Sequence, residues 1–299
     1  MVKSTKSEKT FDLFNIILMI SICLLTIYPF WYVFVTSLNE GADAAQGPIW
    51  LWPRAFTLDN YKYVMAYDTL FSAFTVTVAR CIIGSVFSVG VCLLAAYALS
   101  KRHLPGRKVI LYYLIMPMFI GGSLISNYIV IAKLGLINNF MVYILPSAFI
   151  FFSMIIIRTF IEQVPLEIEE SAMIDGANYW KIFVKIIVPL SKPIIAAFLF
   201  FTVVSGWLDL TTTLLYVTKE KLFTLQYVLY NALTSSSTTY MVDASTMEDL
   251  RRSFSRGTVP TPQVIQMTVM VIVTFPLLFI YPFFQRYFVS GMMLGSVKA

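Results

Sequence analysis

The chain alternates between long apolar runs and short polar breaks, and that alternation predicts its elements. The apolar runs lie at 11–38, 70–99, 109–131, 140–160, 194–217 and 263–288. A helix needs about 20 such residues to cross a bilayer, so the pattern predicts an all-α, polytopic transmembrane chain of six spans. Between the runs lie a Gly- and Pro-bearing stretch at 39–69, a basic loop at 101–108 and a tight polar turn at 133–139. A long polar connection follows at 218–262. Trp50 and Trp52 read as anchors at a membrane interface. Lys3, Lys6 and Lys9 precede the first run, which is too long for a signal peptide and is followed by further spans. It therefore reads as an uncleaved first helix.

One break is larger than a turn and strongly charged. Residues 165–193 hold Glu167, Glu169, Glu170, Asp175, Lys181, Lys185 and Lys192. Pro165 suits a first helical position, and the acidic residues behind it complement the dipole of a starting helix. Gly176 after Asp175 reads as a helix stop. A second short helix is predicted from Asn178, with Asn178, Lys181 and Lys185 on one face and Trp180, Phe183, Val184 and Ile187 on the other. Pro189 and Pro193 end it. The result is a helical hairpin whose apolar face packs on the spans. Its charged face either meets a soluble partner or is simply solvated.

Composition agrees with a membrane protein. Of 299 residues, 58% are hydrophobic and 13% charged, with a mean hydropathy of +0.77, whereas soluble chains are about half apolar and about a quarter charged. The net charge of +6 therefore speaks to orientation, not to nucleic acid. Six spans place both termini, the 101–108 loop and the hairpin on one side, and the short loops of that side carry the Lys and Arg excess. That side is expected to be cytoplasmic, with the chain in the cell (plasma or inner) membrane. Residues 1–10 form the cytoplasmic N-terminus in this reading.

The chemistry of enzymes is missing. Cys23, Cys81 and Cys92 sit inside apolar runs without metal-ligand spacing, so they read as packing residues and no metal site is expected. His103 is the single histidine, which rules out a HExxH site, and no catalytic residue is assigned. No phosphate-binding G-x-x-x-x-G-K-[ST] occurs, so ATP hydrolysis, if it drives the protein, belongs to another subunit.

Two charges fall well inside the runs, Arg80 and Asp209. Arg80 lies roughly 15 Å from the outer start of its span and Asp209 roughly 22 Å from the inner start of its own, by helical rise. A central charge costs about 2.5–3.5 kcal/mol on insertion scales, which favours a pair or a shared wet pathway over two isolated charges. The alternative is that each reaches a head group or water. Trp207, Asn127 and Tyr128 combine flat rings with hydrogen-bonding groups, as sugars require. Each can equally be a packing or interface residue.

The hairpin carries a spaced motif. Glu170-Ser171-Ala172, three residues, Gly176, nine residues, Ile186, one residue and Val188-Pro189 resembles the EAA motif of ABC importer permeases, E-A-A-x3-G-x9-I-x-L-P. Ser171 and Val188 are its mild departures. Ala96-Tyr97-Ala98-Leu99-Ser100 with Leu104-Pro105-Gly106-Arg107 resembles the end of the second span in carbohydrate-type permeases, and the tail from Gln285 to Lys298 resembles that of the maltose-type second permease, closer still to the oligosaccharide and polysaccharide permeases of that branch. The resemblance implies a type I importer fold, a second permease subunit, two ATPase subunits that hold ATP and Mg, and an extracellular sugar-binding protein. It implies that Glu170, Ser171, Ala172, Asp175, Gly176, Ile186 and Pro189 form the ATPase-docking loop. Residues 11–299 would be one permease domain, with the connection 218–262 outside and the tail 290–299 cytosolic. The connection either meets the binding protein or only links spans. The solute implied is a sugar, with an oligosaccharide favoured and another solute class as alternative. An ion-coupled secondary transporter would prefer several deep acids, and a purely structural subunit would carry no solute.

Overall fold

A computed structural model describes residues 6–66, 68–234 and 260–295. The first five residues, most of the connection (235–259), the side chains beyond Gln285 and the last four residues lie outside the described set.

Among the described residues the chain is all-helical, apart from an isolated bridge between Asn39 and Phe56. The helices are α1 (Lys6–Ser37), α2 (Gly41–Ala44), α3 (Asp59–Met65), α4 (Asp68–Ser100), α5 (Arg107–Ile120), α6 (Leu124–Lys133) and α7 (Phe151–Ile161). They continue with α8 (Leu166–Ile174), α9 (Tyr179–Ile182), α10 (Val188–Leu190), α11 (Lys192–Leu208), α12 (Thr211–Tyr216), α13 (Leu225–Thr234) and α14 (Pro262–Gly295).

Among the described residues three helices are each long and apolar enough to cross a membrane: Lys9–Ser37, Thr69–Ser100 and Pro262–Gln285. The other apolar runs are broken, and each break has a local cause. The run expected as one helix over 109–131 divides between α5 and α6 at Gly121-Gly122-Ser123. Gly121 has a φ of +58° that an L side chain resists, and Asn127 lies over Gly122 where a Cβ would meet its amide oxygen at 2.8 Å. The run over 140–160 is a single 3₁₀ turn, Phe140–Tyr143, followed by turns around Pro146 and then the short α7. Pro146 cannot donate to a helical ladder and biases its predecessor toward extended backbone. The run over 194–217 stops at Leu208, because Asp209 turns extended (φ −73°, ψ 108°) before α12.

The chain divides into two compact units, one of Met1–Asp68 with Asn231–Thr274 and one of Thr69–Tyr230 with Phe275–Ala299. In the first, Asn60 donates from one amide nitrogen to the carbonyls of Ser37 and Asn39, both at 2.9 Å. Asn39 in turn donates to Asp43 at 2.8 Å, and Arg54 pairs with the same carboxylate oxygen at 2.9 Å. The Asn39 amide and the Arg54 guanidinium hold the Asp43 pKa below its ordinary range. A small core of Val35, Ala44, Ile49 and Val264 completes this polar turn.

The second unit has the larger core. Val89, Cys92, Leu93, Ala96 and Leu99 of α4 meet Met154, Ile157 and Ile161 of α7, together with Ile182, Phe183, Ile187 and Phe198. Cys81 and Cys92 are buried free thiols in this unit, whereas Cys23 is exposed on α1. The core therefore lies beneath the hairpin at one end of α4, and the polar side chains of α4 occupy its earlier turns.

Candidate functional site

A cavity of about 650 Å³ opens in the second unit, between α4, the 142–153 segment and α11. Its size is within the range of small-molecule sites. Gly84, Ser85 and Ser88 line it from α4, Pro146, Ser147 and Ser153 from the broken fourth run, and Thr202, Ser205 and Gly206 from α11. Val142, Ile150, Phe152, Phe198 and Phe201 supply the apolar rest of the lining. Ser147 and Thr202 already donate to carbonyls of the preceding turn, which leaves their oxygens as acceptors, so the wall mixes hydroxyl groups with flat and aliphatic apolar surface, as a saccharide with polar hydroxyls and apolar C–H faces requires.

Arg80 and Asp209 border the same cavity. They pair at 2.6 Å across α4 and the end of α11, with the Arg80 side chain only 6% exposed and the Asp209 side chain 24%. The Arg80 guanidinium also lies 4.4 Å from the centre of the Tyr143 ring, a cation–π arrangement. Asp209 is held from its other side, since its Oδ1 accepts from the Thr212 backbone N–H at 3.2 Å. Tyr143 donates to the Leu222 carbonyl at 2.8 Å and meets Thr213 at 3.0 Å, and Thr213 meets Thr224 at 2.9 Å. The backbone N–H of Leu225 donates to Thr77 at 2.9 Å. Each buried polar group named here therefore has a partner, as burial requires.

The aromatic expectations fare differently. Trp207 is buried at 4% exposure against Phe74, edge to face at 6.5 Å, and is not among the residues lining the cavity. Tyr128 stacks on Tyr216 at 5.8 Å, and Asn127 covers Gly122; neither lines the cavity. The hydroxyls that do line it escaped a search for charges and rings. Their signal was spacing: Arg80, Gly84 and Ser88 fall at i, i+4 and i+8, and Thr202, Ser205 and Asp209 at i, i+3 and i+7, which gathers each set on one helix face.

The hairpin is built as two helical arms around Gly176. Pro165 is the residue before α8 rather than its first helical residue. Gly176 has a φ of +75°, and its N–H donates to the Met173 carbonyl at 3.0 Å while Ala177 N–H donates to Ala172 at 2.9 Å. That pair of bonds is the Schellman arrangement, which closes a helix C-terminus on a left-handed residue. Asn178 then caps the second arm, its side chain accepting from Lys181 N–H at 2.8 Å.

The second arm departs from the expected helix. After one turn of α9, Phe183–Ile187 widens into a π segment before α10, and the arm meets α11 at a bend of 76°. The wide turn shifts the buried face. Ile182, Phe183 and Ile187 are buried, whereas Val184 at 45% exposure faces outward, where a regular helix would have placed it with Ile187; Trp180, at 63% exposure, keeps its ring 5.6 Å from that of Phe183. Ile186 and Ala172 are half-buried against the core. Glu170, Ser171, Asp175, Gly176 and Pro189 are exposed. Glu169, the neighbour of Glu170, is buried and pairs with Lys101. Among the described residues no three of His, Cys, Asp and Glu gather as a metal-holding group.

The chain is similar to known proteins over nearly its whole length. Protein LplC of Bacillus subtilis is 37% identical over 295 residues, covering 99% of this chain and 97% of that one. The polygalacturonan/rhamnogalacturonan transport system permease protein YtcP of the same organism is 33% identical, covering 97% and 99%. In structure, a chain of a bacterial ABC transporter involved in the import of the acidic polysaccharide alginate superposes with a TM-score of 0.86 at 25% identity, covering 96% of this chain and 100% of that one. The fold is therefore that of an ABC importer permease. Residues 11–293 match the family described as binding-protein-dependent transport system inner membrane component, and the chain belongs to that family.

Proposed function

We propose that the chain is one of two permease subunits of an ATP-driven importer that carries a saccharide, with an oligosaccharide favoured, inward across the cell membrane. The observation that carries this reading is the cavity that mixes Ser and Thr hydroxyls with apolar rings and is closed at one border by the Arg80–Asp209 pair. Such a wall offers hydrogen bonds to sugar hydroxyls without a net charge to trap them. The relatives support the solute class, since YtcP is described as a polygalacturonan/rhamnogalacturonan permease. An ion-coupled transporter would want a deep acid free to exchange protons or sodium, and Asp209 is engaged by Arg80 and Thr212.

In this reading α5 with α6, the 140–161 run, and α11 with α12 serve as the third, fourth and fifth crossings, completing six with α1, α4 and α14. The family match runs through both units and supports treating residues 11–299 as one permease domain. Lys and Arg in the short loops favour cytoplasmic termini and a cytoplasmic hairpin. The exposed row Glu170, Ser171, Asp175 and Gly176 would then receive an ATPase subunit that holds ATP and Mg, with Ala172, Ile186 and Pro189 shaping the arm behind it. An extracellular binding protein would deliver the saccharide, and the hairpin would move as a rigid body to bias inward- and outward-open states.

The test is uptake of a labelled oligosaccharide by the complete transporter in proteoliposomes. Ser205→Phe, which fills the cavity from an exposed position on α11, is expected to lower uptake at least tenfold while the complex still assembles and hydrolyses ATP. Uptake that continues after vanadate blocks hydrolysis would sink the ATP-driven reading, and unchanged uptake in Ser205→Phe would sink this cavity as the pathway.

A further inference from the structure

The two adjacent acids of the hairpin point to different partners. Successive residues of a helix are about 100° apart, so Glu169 and Glu170 leave α8 in different directions. Glu170 is exposed, whereas Glu169 is the one buried side chain of α8. A helix arm whose single buried residue is a carboxylate is not held as the other arm is. The second arm is fixed by apolar packing of Ile182, Phe183 and Ile187 on α4 and α7. The first arm has the half-buried Ala172 on that core and, as its one buried side chain, Glu169 in an ion pair with Lys101 just past the end of α4.

Lys101 is itself confined. Its side chain is 13% exposed and its ammonium lies 4.1 Å from the centre of the Tyr97 ring, one turn back along α4. The Tyr97 hydroxyl reaches the Tyr179 carbonyl of the second arm at 3.5 Å. Tyr97 thus touches both arms, one through Lys101 and one directly. The same α4 carries Arg80, Ser85 and Ser88 on the cavity wall. A displacement of α8 therefore has a charged, directional route into the helix that shapes the cavity.

We propose that the Glu169–Lys101 pair is the joint through which the first arm of the hairpin moves α4, so that both are positioning residues for coupling rather than docking residues. The proposal rests on the reading of the chain as an ATP-driven permease. An apolar contact slides when pulled, but a buried ion pair resists separation because each charge would be left without its partner. The arm that carries Glu170 is in this way tied to α4 in tension as well as in compression.

The experiment uses the complete transporter in proteoliposomes and reads oligosaccharide uptake per ATP hydrolysed. Glu169→Gln and Lys101→Met are each expected to lower that ratio at least fivefold with the ATPase subunits still bound. The exchange variant, Glu169→Lys with Lys101→Glu, is expected to regain at least half of it. An unchanged ratio in the single variants overturns the proposal. So does an equal fall in uptake and hydrolysis, or loss of the assembled complex, since a contact that merely holds the fold would give either result. So does an exchange variant that assembles and remains uncoupled. If the unaltered complex shows no ATP-dependent uptake, the permease reading itself has failed, which is a separate outcome.

Discussion

Replacing Asp209 with Asn isolates the charge at the border of the cavity. Asn keeps an Oδ1 for the Thr212 N–H, so the local cap survives and only the counter-charge of Arg80 goes. Unit charges 2.6 Å apart attract by about 6 kcal/mol at an effective dielectric near 20, and desolvation cancels a large share of that. Removing one partner of a buried pair costs about 3–5 kcal/mol. Two features lower the figure here. Asp209 is 24% exposed and so partly hydrated, and the Tyr143 ring at 4.4 Å still faces the guanidinium, which contributes about 0.5–2 kcal/mol. A loss of about 2–3 kcal/mol remains. At about 2–4 °C per kcal/mol for chains approaching this size, thermal unfolding of the detergent-solubilised complex should fall by on the order of 5 °C or more. Arg80→Gln should cost a similar amount, because Asp209 then stands alone. The double variant, with neither charge, should be less destabilised than the sum of the singles by about 2 kcal/mol or more, since contacting residues couple. Additive losses in the double variant would refute the account of the pair as one electrostatic unit.

Three further outcomes follow from the geometry. Glu170→Ala should leave the chain in the membrane yet release or uncouple the ATPase subunits, seen as their absence on co-purification or as hydrolysis without uptake; normal uptake and assembly would exclude the docking role. Gly176→Ala places a side chain at a φ of +75°, which costs about 1–2 kcal/mol, and should weaken ATPase binding several-fold in a pull-down while leaving the cavity variants' behaviour unchanged. In the 39–58 turn, Asp43 has a lowered pKa because Asn39 and Arg54 favour its charged form. The stabilisation is therefore present above the ordinary carboxylate range and lost as pH falls through the lowered value. Hydrogen exchange of this segment, corrected for intrinsic rate, should be steady from pH 7 to about 5 and quicken only below about 4, and Asp43→Asn should abolish that pH dependence.

Much of this arrangement was legible in the residues. A charge within an apolar run announces itself, and Arg80 and Asp209 meet across two runs that the sequence had separated by 129 positions. The hairpin was legible for another reason, since Gly176 and Asn178 are local signals whose physics needs no tertiary context. What was hidden depended on packing. Gly121-Gly122-Ser123, Pro146 and Asp209 are ordinary punctuation, but density of apolar residues alone reads through them as continuous spans. Trp207 looked suited to stack on a sugar, yet α11 turns it toward Phe74. The outward turn of Val184 falls in a π segment over Phe183–Ile187 that no periodicity in the sequence announces. The motif spacing singled out Glu170, but that Glu169 is buried and paired showed only once α8 was placed against Lys101.

The stop of α11 at Leu208 has a chemical consequence of its own. The last carbonyls of a helix have no partner further along it, and they carry the negative end of its dipole. The Arg80 guanidinium approaches the Asp209 carbonyl at 3.5 Å as well as its carboxylate. Part of the polarity at the cavity border is therefore written in main chain, which substitution cannot remove. Side-chain hydroxyls such as Ser85, Ser147 and Ser205 can be exchanged one at a time, while this set of acceptors stays. A permease built this way can acquire a new substrate preference by small steps and still keep a polar border throughout.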